Sequence, residues 1–163
     1  MFKLVSLAMA ASFAAVPAAA PAAVGPDAAS CRKGGPAILV KVTGLKNKMG
    51  KVRVQLYGSN PADFLAKGKK LRRVEVAASA ALQPICIAVP KAGRYAVAVR
   101  HDANGDGKSG WSDGGGFSRN PNLSLTSLKP SYAKVAINAG GGVTPIDIVM
   151  NYRQGLAIKP IKG

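Results

Sequence analysis

Short stretches in which apolar and polar residues alternate fill most of this chain. Ile38, Val40 and Val42 alternate with Leu39 and Lys41, and Val52, Val54 and Leu56 alternate with Lys51, Arg53 and Gln55. A period of two puts successive side chains on opposite faces of a strand, so these stretches, joined through Gly44 to Gly50, predict a hairpin with a solvated basic face. Further strands are predicted near 71 to 78 (Val74, Val76), 83 to 89 (Ile85, Ile87, Val89) and 94 to 101 (Tyr95, Val97, Val99), the last entered by the turn Pro90-Lys91-Ala92-Gly93. A loop rich in Gly, Asn, Ser and Asp runs from Asp102 to about Pro130, with two final strands near 131 to 138 and 145 to 152. Asn60-Pro61-Ala62-Asp63 carries a capping residue and a proline at the first helical position, which predicts one helical turn with Phe64 over an end of the core. No helical period lasts beyond two turns and no repeat is present. The pattern predicts an all-β fold, an antiparallel β-sandwich of about seven strands, immunoglobulin-like or transthyretin-like, with one short helical turn.

The N-terminus reads differently. Lys3 precedes an apolar run from Leu4 to Val16, and Pro17 is followed by Ala18-Ala19-Ala20. These are the positive, apolar and small-residue regions of a signal peptide, with cleavage placed after Ala20 and Ala23 as the second choice. The run is too short for the roughly 20 residues of a membrane-spanning helix, and no later apolar run approaches that length. The expected organisation is a signal peptide over 1–20, a flexible mature N-terminus over 21–35, the sandwich over 36–152 and a flexible basic tail over 153–163. A periplasmic or secreted location follows, with no transmembrane segment after cleavage.

Export changes the meaning of the cysteines. Cys31 and Cys86 are the only two, and in an oxidising compartment an even pair predicts a disulfide. It would close a loop of about 55 residues, for which chain entropy gives roughly 4 kcal/mol as an upper figure. Charge narrows the partners. Lysine and arginine number 23 against 7 acids, a net charge of +16. Between Lys41 and Arg73 the cations Lys46, Lys48, Lys51, Arg53, Lys67, Lys69, Lys70 and Arg72 face Asp63 alone. The cluster Lys67, Lys69, Lys70, Arg72 and Arg73 is the candidate anion-binding site, for an anionic envelope component or a polysaccharide; a merely solvated face is the alternative. The leader and the lack of interleaved aromatic residues argue against intracellular nucleic acid.

Asp102-Ala103-Asn104-Gly105-Asp106-Gly107-Lys108 has the oxygen spacing of a calcium loop. Asp102, Asn104 and Asp106 stand at positions one, three and five, Gly107 at the sharp turn, Lys108 offers its carbonyl and Asp113 stands at twelve. A strand precedes the loop where a helix is usual, and Asp113 is shorter than the usual Glu. A structural Ca2+ ion is one reading; Asx turns that bond their own backbone are the other.

The segment from Gly93 to Lys108, with His101-Asp102-Ala103-Asn104 at its centre, resembles the signature of the bacterial domain of unknown function 2141 family. Gly116-Phe117-Ser118-Arg119-Asn120, Lys129-Pro130-Ser131-Tyr132-Ala133 and the strand Ile146 to Tyr152 match further family segments in order. The resemblance covers residues 36 to 152. It implies a small exported β-sandwich, like transthyretin-type or carboxypeptidase regulatory domains, and implies no activity. The stretch between the acidic loop and Gly116 is shorter than in relatives, which tend to carry a Pro-Lys-Glu-like segment there.

Catalytic readings find little support in the residues. His101 is the only histidine, and neighbouring strand residues point to opposite faces, so His101 and Asp102 would not pair around Ser118. Ordinary packing of His101 is expected, ahead of loop bracing or metal ligation. Glu75 is the only glutamate, which removes a glutamate pair, and Gly114-Gly115-Gly116 lacks the Lys-Ser/Thr of a phosphate loop and reads as a flexible connector. The function expected is therefore an exported, non-catalytic binding or envelope-support domain, with no catalytic residues assigned. The alternative is a small periplasmic hydrolase or metal-dependent enzyme using the acidic loop.

Overall fold

The computed structural model describes residues 22–79 and 84–161. The expected signal peptide lies outside them. Among the described residues the strands are β1 (Ala37–Thr43), β2 (Lys51–Tyr57), β3 (Arg72–Ala77), β4 (Ile85–Ala88), β5 (Gly93–Asp102), β6 (Gly114–Phe117), β7 (Ile137–Ala139), β8 (Val143–Val149), β9 (Asn151–Gln154) and β10 (Ala157–Pro160). Two short helices, α1 (Ala28–Arg32) and α2 (Tyr132–Val135), and the expected helical turn at Pro61–Asp63 complete the fold. That turn is capped as its sequence predicts, with the Asn60 side chain accepting from the Ala62 N–H.

Two sheets face each other. The smaller has the order β4-β1-β8, and the larger β10-β9-β6-β5-β2-β3, with β7 beside the start of β5. The sandwich is antiparallel apart from the β1–β8 pair, which is parallel. Its core is the inward set of the alternating strands: Ile38 and Val40 from β1, Val52, Val54 and Leu56 from β2, Val97 from β5, and Ile148 and Met150. Each such side chain contributes about 1.5–3 kcal/mol on burial, so the alternation read in the sequence is the main source of stability. A second, smaller cluster lies on the outer face of the large sheet, where Tyr57, Ala98 and Phe117 are covered by Phe64 and by Tyr132 and Val135 of α2.

Several expectations are corrected. The stretches 38–42 and 52–56 form strands, but they belong to different sheets and make no hairpin; a period of two fixes a strand's buried face and not its neighbour. Residues 131–138 hold α2 before the short β7, because Tyr132 and Val135, three apart, reach the outer cluster on one helical turn. The tail is ordered through Pro160 as the β9–β10 hairpin, turned at Gly155 with φ 62. The N-terminal segment is also tied down: Val24 pairs with Ile85, and Asp27 is buried. Gly114 to Gly116 is the strand β6 rather than a connector. An added Cβ on Gly114 would lie 2.4 Å from the Tyr152 ring, and one on Gly116 would lie 2.7 Å from Ile148, so glycine is what lets this strand lie against the core.

Candidate functional site

β5 runs straight into the acidic loop, and the loop is held by its own side chains. Asp102 accepts from the N–H groups of Gly105 (3.1 Å) and Gly107 (3.0 Å), and Asp113 from those of Ala103 (3.1 Å) and Gly110 (3.1 Å). Asn104 donates to Asp106, which also accepts from the Lys108 N–H at 2.7 Å. That backbone bond, with the Asn104 bond, lowers the Asp106 pKa. Among the described residues no three His, Cys, Asp or Glu side chains gather to hold a metal ion. The loop thus has the bonding of a capped turn.

His101 is fully buried at the end of β5. Its Nδ1 lies 2.6 Å from the Tyr152 hydroxyl and its Nε2 2.9 Å from the Met49 carbonyl, which braces the loop before β2. Ser118 is equally buried and engaged: it accepts from the Val97 N–H and donates to the Val135 carbonyl. The two side chains are used separately, within the scaffold.

Ser118, Arg119 and Asn120 join three family-like segments that lie far apart in sequence. Ser118 links β5 to α2, and Arg119 donates to the Ala133 carbonyl. Asn120, at φ 45, donates to the Asp147 carbonyl and accepts from the Val149 N–H, as a paired strand would. These signature positions therefore hold the architecture together.

The five anion-binding candidates sit along the approach to β3 and on its first residues. Arg72 is drawn off by the buried Asp27, with which it makes a two-pronged ion pair. Burial would raise the Asp27 pKa, but the bonds from Arg72 and from the Ala88 N–H, with the Arg72 charge, outweigh it and leave it lowered. Arg73 lies 3.6 Å from Glu75, which also binds Arg53, and Lys69 lies 3.9 Å from Asp63. Lys67 and Lys70 have no carboxylate partner among the described residues.

A concavity of about 180 Å³ opens on the outer face of the large sheet at its β6-β9-β10 end. Trp111, Phe117, Leu123, Leu128 and Ile158 line it, with Asp113, Asn151 and Arg153 as its polar members. Trp111 is 66% exposed, and the Arg153 guanidinium lies 4.3 Å from its ring centre. Sequence reading missed this place. Two of its ten lining residues, Arg153 and Ile158, come from the tail, whose few strand residues carry no period, and the lone tryptophan sits in a loop read only for its acids.

These features define a small disulfide-bridged β-sandwich. The chain belongs to the family described as an uncharacterized protein conserved in bacteria (DUF2141), whose model matches residues 40–147. No curated protein and no solved structure matches it.

Proposed function

We propose that this protein is an exported, non-catalytic binding domain of the bacterial envelope that holds an anionic polymer on its cationic surface. The carrying observation is where the acids go. Asp27, Asp63 and Glu75 are paired with cations, and Asp102, Asp106 and Asp113 hold N–H groups of their own loop. Of the 7 acids only Asp147 is left, so the lysines and arginines face water with little to offset them. Such a field attracts polyanions and is weakened by salt. The Cys31–Cys86 disulfide suits an oxidising compartment. The engagement of His101 and Ser118 in the scaffold favours binding over hydrolysis. The acidic loop, held by its own Asp side chains, has no part in recognition in this reading.

Retention on an anionic polysaccharide column tests this reading. Changing Lys67, Lys69, Lys70 and Arg73 to Gln should move elution to clearly lower salt; Arg72 is spared because it holds Asp27. Unchanged elution would make the segment a solvated face only.

A further inference from the structure

The concavity beside Trp111 has the makings of a site for one ring. At about 180 Å³ it is smaller than the usual range of ligand pockets, so it admits a single ring rather than an extended molecule. Its walls are mainly apolar, with an aromatic plane that is already fixed in place. Arg153 packs on the indole, and its Nε donates to the Gly155 carbonyl at 3.0 Å. Both terminal nitrogens of Arg153 remain without a hydrogen-bond partner among the described residues.

The adjoining sheet surface supplies a second, independent sign. Arg100 lies directly across from Gly115, and Gly115 directly across from Asn151. Nothing lies within 4 Å of where a Gly115 side chain would begin, so the glycine leaves a notch between the two. Arg100 gives one nitrogen to the Ser109 hydroxyl at 2.6 Å, while its Nε and Nη2 are buried with no hydrogen-bond partner. Asp102 is 3.8 Å from Nη2, close enough for charge but not for a hydrogen bond. Those two nitrogens are shut off from solvent and Arg100 does not line the concavity, so Arg100 adds positive charge beside the Gly115 notch rather than a contact. Asn151 gives one of its two side-chain amide hydrogens to the Val149 carbonyl, which leaves its side-chain oxygen to accept.

An apolar ring face, the Arg153 guanidinium with its spare donors, the nearby Arg100 charge and a free amide oxygen together match one chemistry. We propose that this concavity binds an acidic sugar residue: its ring packs on Trp111, its carboxylate meets Arg153, and a hydroxyl donates to Asn151. A lipid chain would leave the polar groups unmatched, and a neutral sugar would leave the arginine donors unfilled. This inference rests on the reading of the protein as a binding domain but not on the Lys67 to Arg73 segment.

Trp111 is the only tryptophan, so its emission reports this site alone. The native protein should be titrated with a galacturonate oligomer, with the neutral galactose oligomer at equal ionic strength, and with vesicles containing an anionic phospholipid. A saturable emission change with the acidic oligomer is expected, at least fivefold weaker with the neutral one. R153Q should weaken binding at least fivefold, and so should G115L, which fills the notch without altering charge. Thermal midpoints of both variants check that they fold. Calorimetry with W111A, whose side chain is mostly exposed, gives a readout free of fluorescence and should show the same loss. No saturation by the acidic oligomer at millimolar concentration, equal response to the neutral oligomer, or a response to vesicles alone would overturn the proposal. The Lys67, Lys69, Lys70 and Arg73 variant should keep the emission change in full; losing column retention while keeping it separates the broad cationic surface from this pocket.

Discussion

The Tyr152 hydroxyl accepts from the Lys46 N–H at 3.0 Å, so its own proton is what it has to give to His101 Nδ1. The Met49 carbonyl can only accept, which places an imidazole proton on Nε2. Tyr152, His101 and Met49 therefore form one hydrogen-bonded chain, and the histidine beside an aspartate that invites catalysis is a strut. Burial, with the nearby Asp113 charge and against the Lys46 bond, pushes the Tyr152 phenol up to about 12. Its unfolded value is near 10. A raised value stabilises the fold fully below about pH 10 and loses that contribution as the pH climbs through the folded value. Y152F keeps the ring against Gly114 but orphans two buried groups, so it should cost about 1–3 kcal/mol in urea unfolding at pH 7. It should also flatten the alkaline fall in stability, and an unchanged alkaline limb would count against this assignment. The paired cysteines were legible from composition and compartment, whereas no local pattern announced the partners of Tyr152.

At the scale of elements, the central strand β5 was legible to within a residue because Tyr95, Val97 and Val99 alternate without a break and a Pro-Gly turn marks their start. Strand neighbours were not. β1 and β2 share a period and a short connection, yet burial of both inner faces is met by placing them in opposite sheets. The glycine run failed for another reason: a strand that must lie against Tyr152 and Ile148 has no side chains with which to show a period. The acidic loop was found by spacing, but spacing is common to a calcium loop and a capped turn. The bonds of Asp102 and Asp113 to four backbone N–H groups favour the turn as sufficient by itself. Thermal midpoints in millimolar calcium and in chelator are therefore expected to agree within about one degree, while D102A lowers the midpoint by several degrees in both, as loss of charge-assisted bonds worth about 1.5–3 kcal/mol requires. A midpoint raised by several degrees in calcium, and lost in D102A, would restore the ion.

Over the whole molecule, the open seam between the two sheets is closed by the N-terminal segment. Cys31 of α1 is bonded to Cys86 of β4 in the small sheet, and Asp27 reaches the Ala88 N–H of β4 and Arg72 of β3 in the large one. Val24 adds two backbone bonds, to Pro84 and Cys86. Sequence composition marks this stretch as loose, because Ala, Pro and Gly hide a segment whose order comes from four distant residues, Arg72, Pro84, Cys86 and Ala88. Replacing both cysteines by Ala should cost up to roughly 4 kcal/mol through the 55-residue separation they close. D27A should cost about 2–3 kcal/mol, below the range for a fully buried pair because the Arg72 side chain is 49% exposed. The two losses are not expected to add. Once the disulfide is gone the segment can lift away, taking Asp27 with it, so the combined variant should lose clearly less than the sum of the separate losses. Acid gives a second readout of the same joint. The lowered Asp27 value means that its contribution is present at neutral pH and is lost as the pH falls through its folded value, below the ordinary aspartate range of about 4. Urea unfolding at pH 7 and pH 3 should therefore show a smaller difference for D27N than for the wild type. Fully additive losses, together with an acid limb unchanged in D27N, would mean that the N-terminal segment merely decorates a sandwich already closed by its core.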